Sequence, residues 1–459
     1  MPTQPDSAPS PEAETLVSEE ALFELFANAF RPDGRLVGIE SEKVALYSDG
    51  APLHYADAPG RPGVAAIFAE LAARYGWSPE ADKPGGPALM LVRGRANITL
   101  EPGSQFELSG SPLGSAHHVR AELDAHAAEL ASLESTAGLH FLGVGFHPYA
   151  KQSDLDWVPK SRYPIMREYL PTRGASGLDM MRRTATVQAN FDFGSERDAM
   201  RKLRCGLALS PMVSALFANS PLVEGAWSGL RARRLAVWLE MDPDRSGLLP
   251  FAWSRDASLG DYIRWAKRAP MFIVKRGAEV LPATHLSFER FMAEGLGGHR
   301  AVASDWESHL KTMFPEVRLA RTLEVRGADS APRAYATAMV ALWLGVLYDD
   351  DCLDWIDTHL VSRGYAFWQG LRPEIAARAL ATRFDDGTLG DVWARFLPVV
   401  EAALARRNKR DLGGLDERSL LAPAADLIER RQSVGERLLE GWSPERPSAL
   451  SEFLRRMAF

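Results

Sequence analysis

Four segments of this chain alternate polar and apolar residues at a period of two, and their polar positions carry mostly Glu, Gln and Asn. In a strand, residues i and i+2 project from the same face. In Val37-Gly-Ile-Glu-Ser-Glu-Lys-Val-Ala-Leu46, Glu40 and Glu42 therefore share a side with Val44 and Leu46, which puts both carboxylates on the inner side of a sheet. In residues 97–108, Asn97, Thr99 and Glu101 oppose Ile98 and Leu100; after a Pro102-Gly103 turn, Gln105 and Glu107 oppose Phe106 and Leu108. From Thr184 to Phe193 every even position is polar and every odd one apolar, and in residues 322–326 Glu324 and Arg326 share a face. A half-solvated antiparallel sheet also alternates, but its wet face usually carries Lys, Thr and mixed charge. Here lysine is nearly absent.

Five carboxylates (Glu40, Glu42, Glu101, Glu107 and Glu324) converging on one sheet face cannot all stay ionised without cations. Either their pKa values rise or divalent metals neutralise them. Oxygen ligands suit a hard cation, and Mg²⁺ commonly shares its shell with substrate phosphates. Carboxylates and arginine on one face point to a nucleotide enzyme with more than one Mg²⁺.

Strands scattered among helices, without a βαβ rhythm, predict an α+β fold. The pattern predicts helices over 18–30, 60–76, 115–136 and 195–218. It predicts strands over 36–46, 141–148, 184–193 and 318–326, and two short strands within 90–110. Residues 151–180 and 225–255 read as irregular, and the chain is mainly helical from 331 on. Residues 1–15 are rich in Pro, Ser and acids and predict a disordered tail. A catalytic core over 16–350 and a helical C-terminal portion over 351–459 complete the organisation.

The net charge of −7 gives no overall pull toward nucleic acid or an anionic membrane. Cys205 and Cys352 are the only cysteines, which excludes a disulfide scaffold and a Cys-rich zinc site. The longest apolar run, residues 335–348, is too short to span a bilayer and suits a buried helix. The first basic residue is Arg31, so a basic leader is not expected and a cytosolic protein is. His117, His118 and His147 lack partners at metal-ligand spacing and read as structural.

Val37-Gly-Ile-Glu-Ser-Glu-Lys43 resembles the "GTEHEK" strand of plant-type glutamate–cysteine ligases, and Ile98-Thr-Leu-Glu-Pro-Gly-Ser-Gln-Phe-Glu-Leu-Ser-Gly110 is similar to their "EPGGQFELSG" segment. Ser161-Arg-Tyr-Pro-Ile-Met-Arg167, Gly177-Leu-Asp-Met-Met181, Thr186-Val-Gln-Ala-Asn-Phe-Asp192, Leu216-Phe-Ala-Asn-Ser-Pro221 and Asp242-Pro-Asp-Arg-Ser-Gly-Leu-Leu-Pro250 resemble later blocks in order. Phe314-Pro-Glu-Val-Arg318 and Leu323-Glu-Val-Arg-Gly-Ala-Asp329 end the series, which covers residues 36–350.

The resemblance implies a glutamine-synthetase-like, largely antiparallel catalytic sheet flanked by helices. It implies ATP as co-substrate, two or three Mg²⁺ ions, and amide formation between the γ-carboxyl of L-glutamate and the amine of L-cysteine. A different amine acceptor is the alternative. Carried over by position, Glu40, Glu42, Glu101, Glu107 and Glu324 would be metal ligands, with Gln188 adding an amide oxygen. Arg326 would stabilise phosphoryl charge, because a guanidinium forks onto phosphate. Arg234 would act on substrate or acyl phosphate, and Asn190 with Arg326 on ATP. Arg162, Arg167, Met181 and Trp238 would meet substrate, the two arginines alternatively serving surface ion pairs and Met181 alternatively packing in the core. A monomer or homodimer is expected. Three positions depart from the family: Ser41 replaces a His, Ala236 replaces the His of "RSHIW", and Leu239-Glu-Met-Asp242 replaces "TDTD". Neither cysteine supports a redox switch.

Overall fold

The computed structural model describes residues 17–83, 85–277 and 279–459; the tail expected over 1–15 lies outside the described residues. After α1 (Glu19–Ala27) the chain enters β1 (Val37–Tyr47). α2 (Val64–Tyr75) follows, then β2 (Ser78–Ala81), β3 (Ala88–Arg93), β4 (Ala96–Leu100) and β5 (Phe106–Ser109). α3 (Ala116–Ala137) and β6 (Leu139–Leu142) lead to the short helices α4 (Tyr163–Tyr169) and α5 (Gly177–Arg183). β7 (Thr186–Phe191), α6 (Glu196–Leu216) and α7 (Arg233–Leu239) precede the hairpin of β8 (Val317–Leu319) and β9 (Leu323–Asp329). The C-terminal portion is helical and includes α8 (Arg333–Leu347), α9 (Tyr365–Arg378) and α10 (Ala449–Arg456).

These nine strands form one sheet in the order β8-β9-β7-β1-β5-β4-β3-β2, with β6 on the second half of β1. All pairings are antiparallel. β1 is the hub: residues 37–41 pair with β7, 40–43 with β5 and 44–47 with β6. The odd residues Val37, Ile39, Ala45 and Tyr47 enter the main core, which α3, α6 and α8 fill from one side. In α8, residues 336–347 are all buried, as expected of the apolar run that is too short for a membrane. Among the described residues no helix is long and apolar enough to cross one. On the other face, Val44 and Leu46 join a second cluster with Leu142, Trp442, Phe453, Leu454 and Met457, so α10 caps the apolar half of the strand. The other half of that face carries Glu40 and Glu42.

Several boundaries differ from the sequence pattern for local reasons. Residues 90–110 hold parts of three strands, because Arg93 pairs with Ala96 across a two-residue turn whose Gly94 has φ +61°. β2 was not expected; its Pro79 is tolerated because this strand is the sheet edge. The strand expected over 318–326 is a hairpin that turns where Ala320 N donates to Thr322 O. The segments read as irregular contain α4, α5 and α7, each only seven residues long.

The Glu101-Pro-Gly-Ser turn between β4 and β5 positions two acids of the site. Ser104 N donates to Glu101 O at 3.0 Å and holds Ser104 at φ +65°, a conformation costly for any residue with a Cβ. Its hydroxyl is buried without a hydrogen-bond partner among the described residues. Ser104→Gly should therefore stabilise the fold by about 1 kcal/mol, read as a higher midpoint in thermal or denaturant unfolding. An unchanged or lower midpoint refutes the strain argument.

Candidate active site

The sheet register brings the expected residues together. Glu40 lies opposite Gln188, Glu42 opposite Glu107, Glu107 opposite Thr99, and Glu324 opposite Asn190. Glu42, Glu107, Glu324 and Gln188 are buried, at 9, 8, 4 and 4% exposure, while Glu40, Glu101 and Asn190 are half-buried at the same face.

The acids fall into two halves. In the first, each of three carboxylates gives one oxygen to a neutral donor on a neighbouring strand. Asn190 Nδ2 donates to Glu40 Oε1 at 2.8 Å, Thr186 N to Glu42 Oε2 at 2.9 Å, and Thr99 Oγ1 to Glu107 Oε2 at 2.7 Å. The second oxygen of each takes no hydrogen bond among the described residues. Thr322 Oγ1 donates to Asn190 Oδ1 at 2.9 Å, which orients that amide toward Glu40. In the other half, both oxygens of Glu324 are held by guanidinium groups: Arg318 Nε at 2.7 Å and Arg326 Nη1 at 2.5 Å. Arg326 also donates to Gln188 Oε1.

The ionisation follows this division. Burial, reinforced by Glu324 and Glu107, pushes Glu40 up to about 8. Burial, with Glu101 and Glu107, pushes Glu42 well above the usual carboxylate range. Glu101 is raised by burial and by Glu107, against the pull of Lys160, Arg162 and Arg326. Burial alone would raise Glu324 too, but Arg318 and Arg326 outweigh it and hold that carboxyl below its ordinary value.

The remaining expected residues divide. Arg162 acts electrostatically on Glu101 and lies over the Tyr163 ring at 5.2 Å. Arg234 is 4% exposed; it donates to Arg326 O at 2.9 Å and lies 4.0 Å from Asp329. Trp238 carries Arg234 over its ring at 5.6 Å, and its indole N–H is buried without a partner among the described residues. Two residues show no contact with the acids among the described residues: Arg167 is exposed and stacks on Trp157 at 5.5 Å, and Met181 is 2% exposed in the core. Arg182 donates to Leu155 O at 2.7 Å and so pins a loop. Arg245, fully buried, donates to Asp242 Oδ2 at 2.7 Å and to Pro270 O at 2.6 Å. His147 accepts from Ala150 N at 2.9 Å, and burial pushes it down to about 3. Burial likewise pushes the Cys205 thiol up to about 12, and the Cys352 thiol rises for the same reason.

Four contributors escaped the sequence reading. Arg318 and Thr322 became legible only with the β8–β9 hairpin, which folds position 318 back beside 324. Lys160 Nζ and Tyr163 Oη both donate to Leu100 O, at 2.7 and 3.1 Å, fixing the carbonyl that precedes Glu101. Burial, with Arg162 nearby, brings Lys160 down to about 8.

Residues 36–450 match the family model described as glutamate–cysteine ligase family 2 (GCS2). The chain is 38% identical over 436 residues to the chloroplastic glutamate–cysteine ligase of Arabidopsis thaliana, covering 92% of this chain and 82% of that one. It is 38% identical over 419 residues to the chloroplastic glutamate–cysteine ligase B of Oryza sativa subsp. japonica, covering 90% and 83%. Its fold resembles the crystal structure of a glutamate–cysteine ligase from Francisella tularensis in complex with AMP, with a TM-score of 0.55 at 13% identity over 93% of this chain and 88% of that one. The plant relatives are chloroplastic, which corrects the cytosolic expectation. That expectation rested on Arg31 being the first basic residue, a feature of composition that does not by itself fix a compartment.

Proposed function

The chain belongs to glutamate–cysteine ligase family 2, and from that premise we infer that it joins the γ-carboxyl of L-glutamate to the amine of L-cysteine with cleavage of ATP. It is an ATP-dependent ligase that supplies the first step of glutathione synthesis. The observation that carries the assignment to this face is the set of five carboxylates and two arginines gathered on one side of one sheet.

A free carboxylate does not acylate an amine at neutral pH. The γ-phosphoryl group of ATP must first pass to the glutamate γ-carboxylate oxygen, releasing ADP. The cysteine nitrogen then attacks the γ-carbonyl carbon, phosphate leaves, and the nitrogen gives up a proton. Positioning and charge stabilisation dominate the first step. Arg326 presents a guanidinium fork to the transferring phosphoryl oxygens, with Glu324 and Arg318 fixing where the fork starts. Arg234 holds the backbone beneath Arg326, and Arg162 faces the substrate from the Glu101 side. Asn190, oriented by Thr322, keeps Glu40 in place.

The donor set fits a hard cation: it is oxygen-only and largely buried, and burial and mutual repulsion resist ionisation of Glu40 and Glu42. Among the described residues no group of three His, Cys, Asp or Glu side chains is arranged to hold an ion by itself; Mg²⁺ commonly completes its shell with water and substrate phosphate oxygens. Glu40, Glu42, Glu101, Glu107, Glu324 and Gln188 would hold two or three Mg²⁺ ions, whose bound charge would offset that of ATP and of the acids.

The assay that tests the activity is ADP release from ATP, Mg²⁺ and glutamate, expected only when cysteine is added. No cysteine-dependent release overturns the acceptor, and a panel of other amines identifies its replacement.

A second expectation concerns pH. The folded pKa of Glu40 lies above its ordinary 4.5, at about 8. Its stabilising contribution is therefore complete below the ordinary value and is lost as pH rises through about 8 in metal-free protein. Mg²⁺ should restore it, raising Tm more at about pH 8.5 than at about pH 6. At about pH 7, binding should also release close to one proton from Glu40, with Glu42 adding to that release, measurable by calorimetry in buffers of different ionisation enthalpy. Binding without proton release removes Glu40 from the ligand set.

A further inference from the structure

β9 does not run straight through the site. Its register against β7 shifts between Val325 and Ala328, leaving Arg326 and Gly327 as a bulge, and bulges re-aim the side chains they carry. This one is held on every side. Arg326 N donates to Glu316 O at 3.0 Å, Arg326 O accepts from Arg234 Nη2 at 2.9 Å, and Gly327 O accepts from Ser214 Oγ at 2.8 Å. The Glu316 carboxylate packs directly on the bulge: a Cβ at Gly327 would stand 2.9 Å from its Oε2.

That carboxylate is a hazard where it sits. Its side chain is 10% exposed, and its charge acts on Arg234, which braces the bulge. The partner that satisfies it is Arg372 on α9, a guanidinium 2% exposed that donates through Nη2 to Glu316 Oε1. The approach is close enough that a Cβ at Gly247, whose φ is +88°, would lie 3.4 Å from Arg372 Nη1.

We propose that Arg372, in the helical C-terminal portion, is a positioning residue for the reaction: by engaging Glu316 it keeps that charge off Arg234 and holds the bulge that aims Arg326. Removing one member of a buried ion pair leaves the other charged and unpaired. In Arg372→Met, Glu316 is left to compete for the Arg234 guanidinium, and the bulge loses its brace. The loss would fall on phosphoryl transfer and not on glutamate affinity.

The proposal rests on reading Arg326 as the phosphoryl-facing group, and the two are separable: Arg326→Lys tests that reading, and Arg372 variants test this one. Arg372→Met should lower kcat about 10- to 100-fold with the KM for glutamate changed less than about threefold. Adding Glu316→Gln should recover at least about tenfold of that kcat, because the harm comes from the orphaned charge. Loss of packing would not be repaired by neutralising a carboxylate. If Arg372→Met does not fold, Arg372→Gln, which keeps a donor beside Glu316 but not the charge, should still lower kcat several-fold at unchanged KM. Wild-type kcat in the folded variant, or no recovery in the double variant, overturns the proposal.

Discussion

Glu40→Gln should abolish cysteine-dependent ADP release, with a loss of about 10³-fold or more, while the protein melts at the same temperature or higher. The two halves of this result have one cause. Glu40 is held on the acid-only side of the face, where burial, Glu324 and Glu107 oppose its ionisation. An amide of the same shape keeps the hydrogen bond available to Asn190 but removes a charge that the metal-free fold resists. Above about pH 8 the relief should amount to a few kcal/mol. Function is lost because an amide oxygen is a weaker ligand for a hard cation than a carboxylate. Turnover like that of the wild type excludes Glu40 from the metal set. A large fall in Tm would show that its negative charge stabilises the fold.

Arg326→Met should be as damaging to turnover, about 10³-fold or more, but with the opposite effect on stability. Arg326 binds Glu324 and Gln188 at once. Without it Glu324 keeps only Arg318, and burial drives its carboxyl upward. Gln188 loses the donor to its buried oxygen. The fold should weaken by about 1–3 kcal/mol. Arg326→Lys keeps a cation without the planar fork and should recover most of the stability but little of the rate. If the lysine variant turns over like the wild type, point charge suffices and the forked contact to phosphate is wrong. The two substitutions lie on neighbouring parts of one face yet should move Tm in opposite directions, a contrast that calorimetry on the two proteins would show directly.

Much of this face was legible in the sequence because a strand's period of two leaves no freedom: once residues 37–46 and 184–193 are strands, Glu40, Glu42, Gln188 and Asn190 must each take a side. The sequence did not reveal which oxygens remain free. Asn190 reads as a polar face residue, but its amide is committed to Glu40 and Thr322, which lie 150 and 132 residues away in sequence. Arg318 was hidden by a turn at 320–322 that carries no Gly or Pro to mark it. Arg167 and Met181 belong to motifs that resemble the family's substrate blocks, yet α4 turns the first to solvent and α5 turns the second into the core. Spacing on a seven-residue helix does not say which face its neighbours will cover. The C-terminal helices were read correctly as helices, but a pattern of buried apolar residues cannot show that one guanidinium among them, Arg372, reaches a carboxylate beneath the site.

The division of β1 into an acidic half and an apolar half sets a schedule for biosynthesis. The hub strand leaves the ribosome early, yet its β7 partner lies some 150 residues downstream, and the Phe453, Leu454 and Met457 side chains that cover Val44 and Leu46 come some 400 residues later. At about 5–20 residues per second, that exposed strip waits roughly 20–80 s for its cover. The nascent chain is therefore an aggregation risk throughout that interval. A holding chaperone that covers the strip during that wait should raise soluble yield more than any change to the finished surface. Deleting residues 449–459 should turn that temporary exposure into a permanent one.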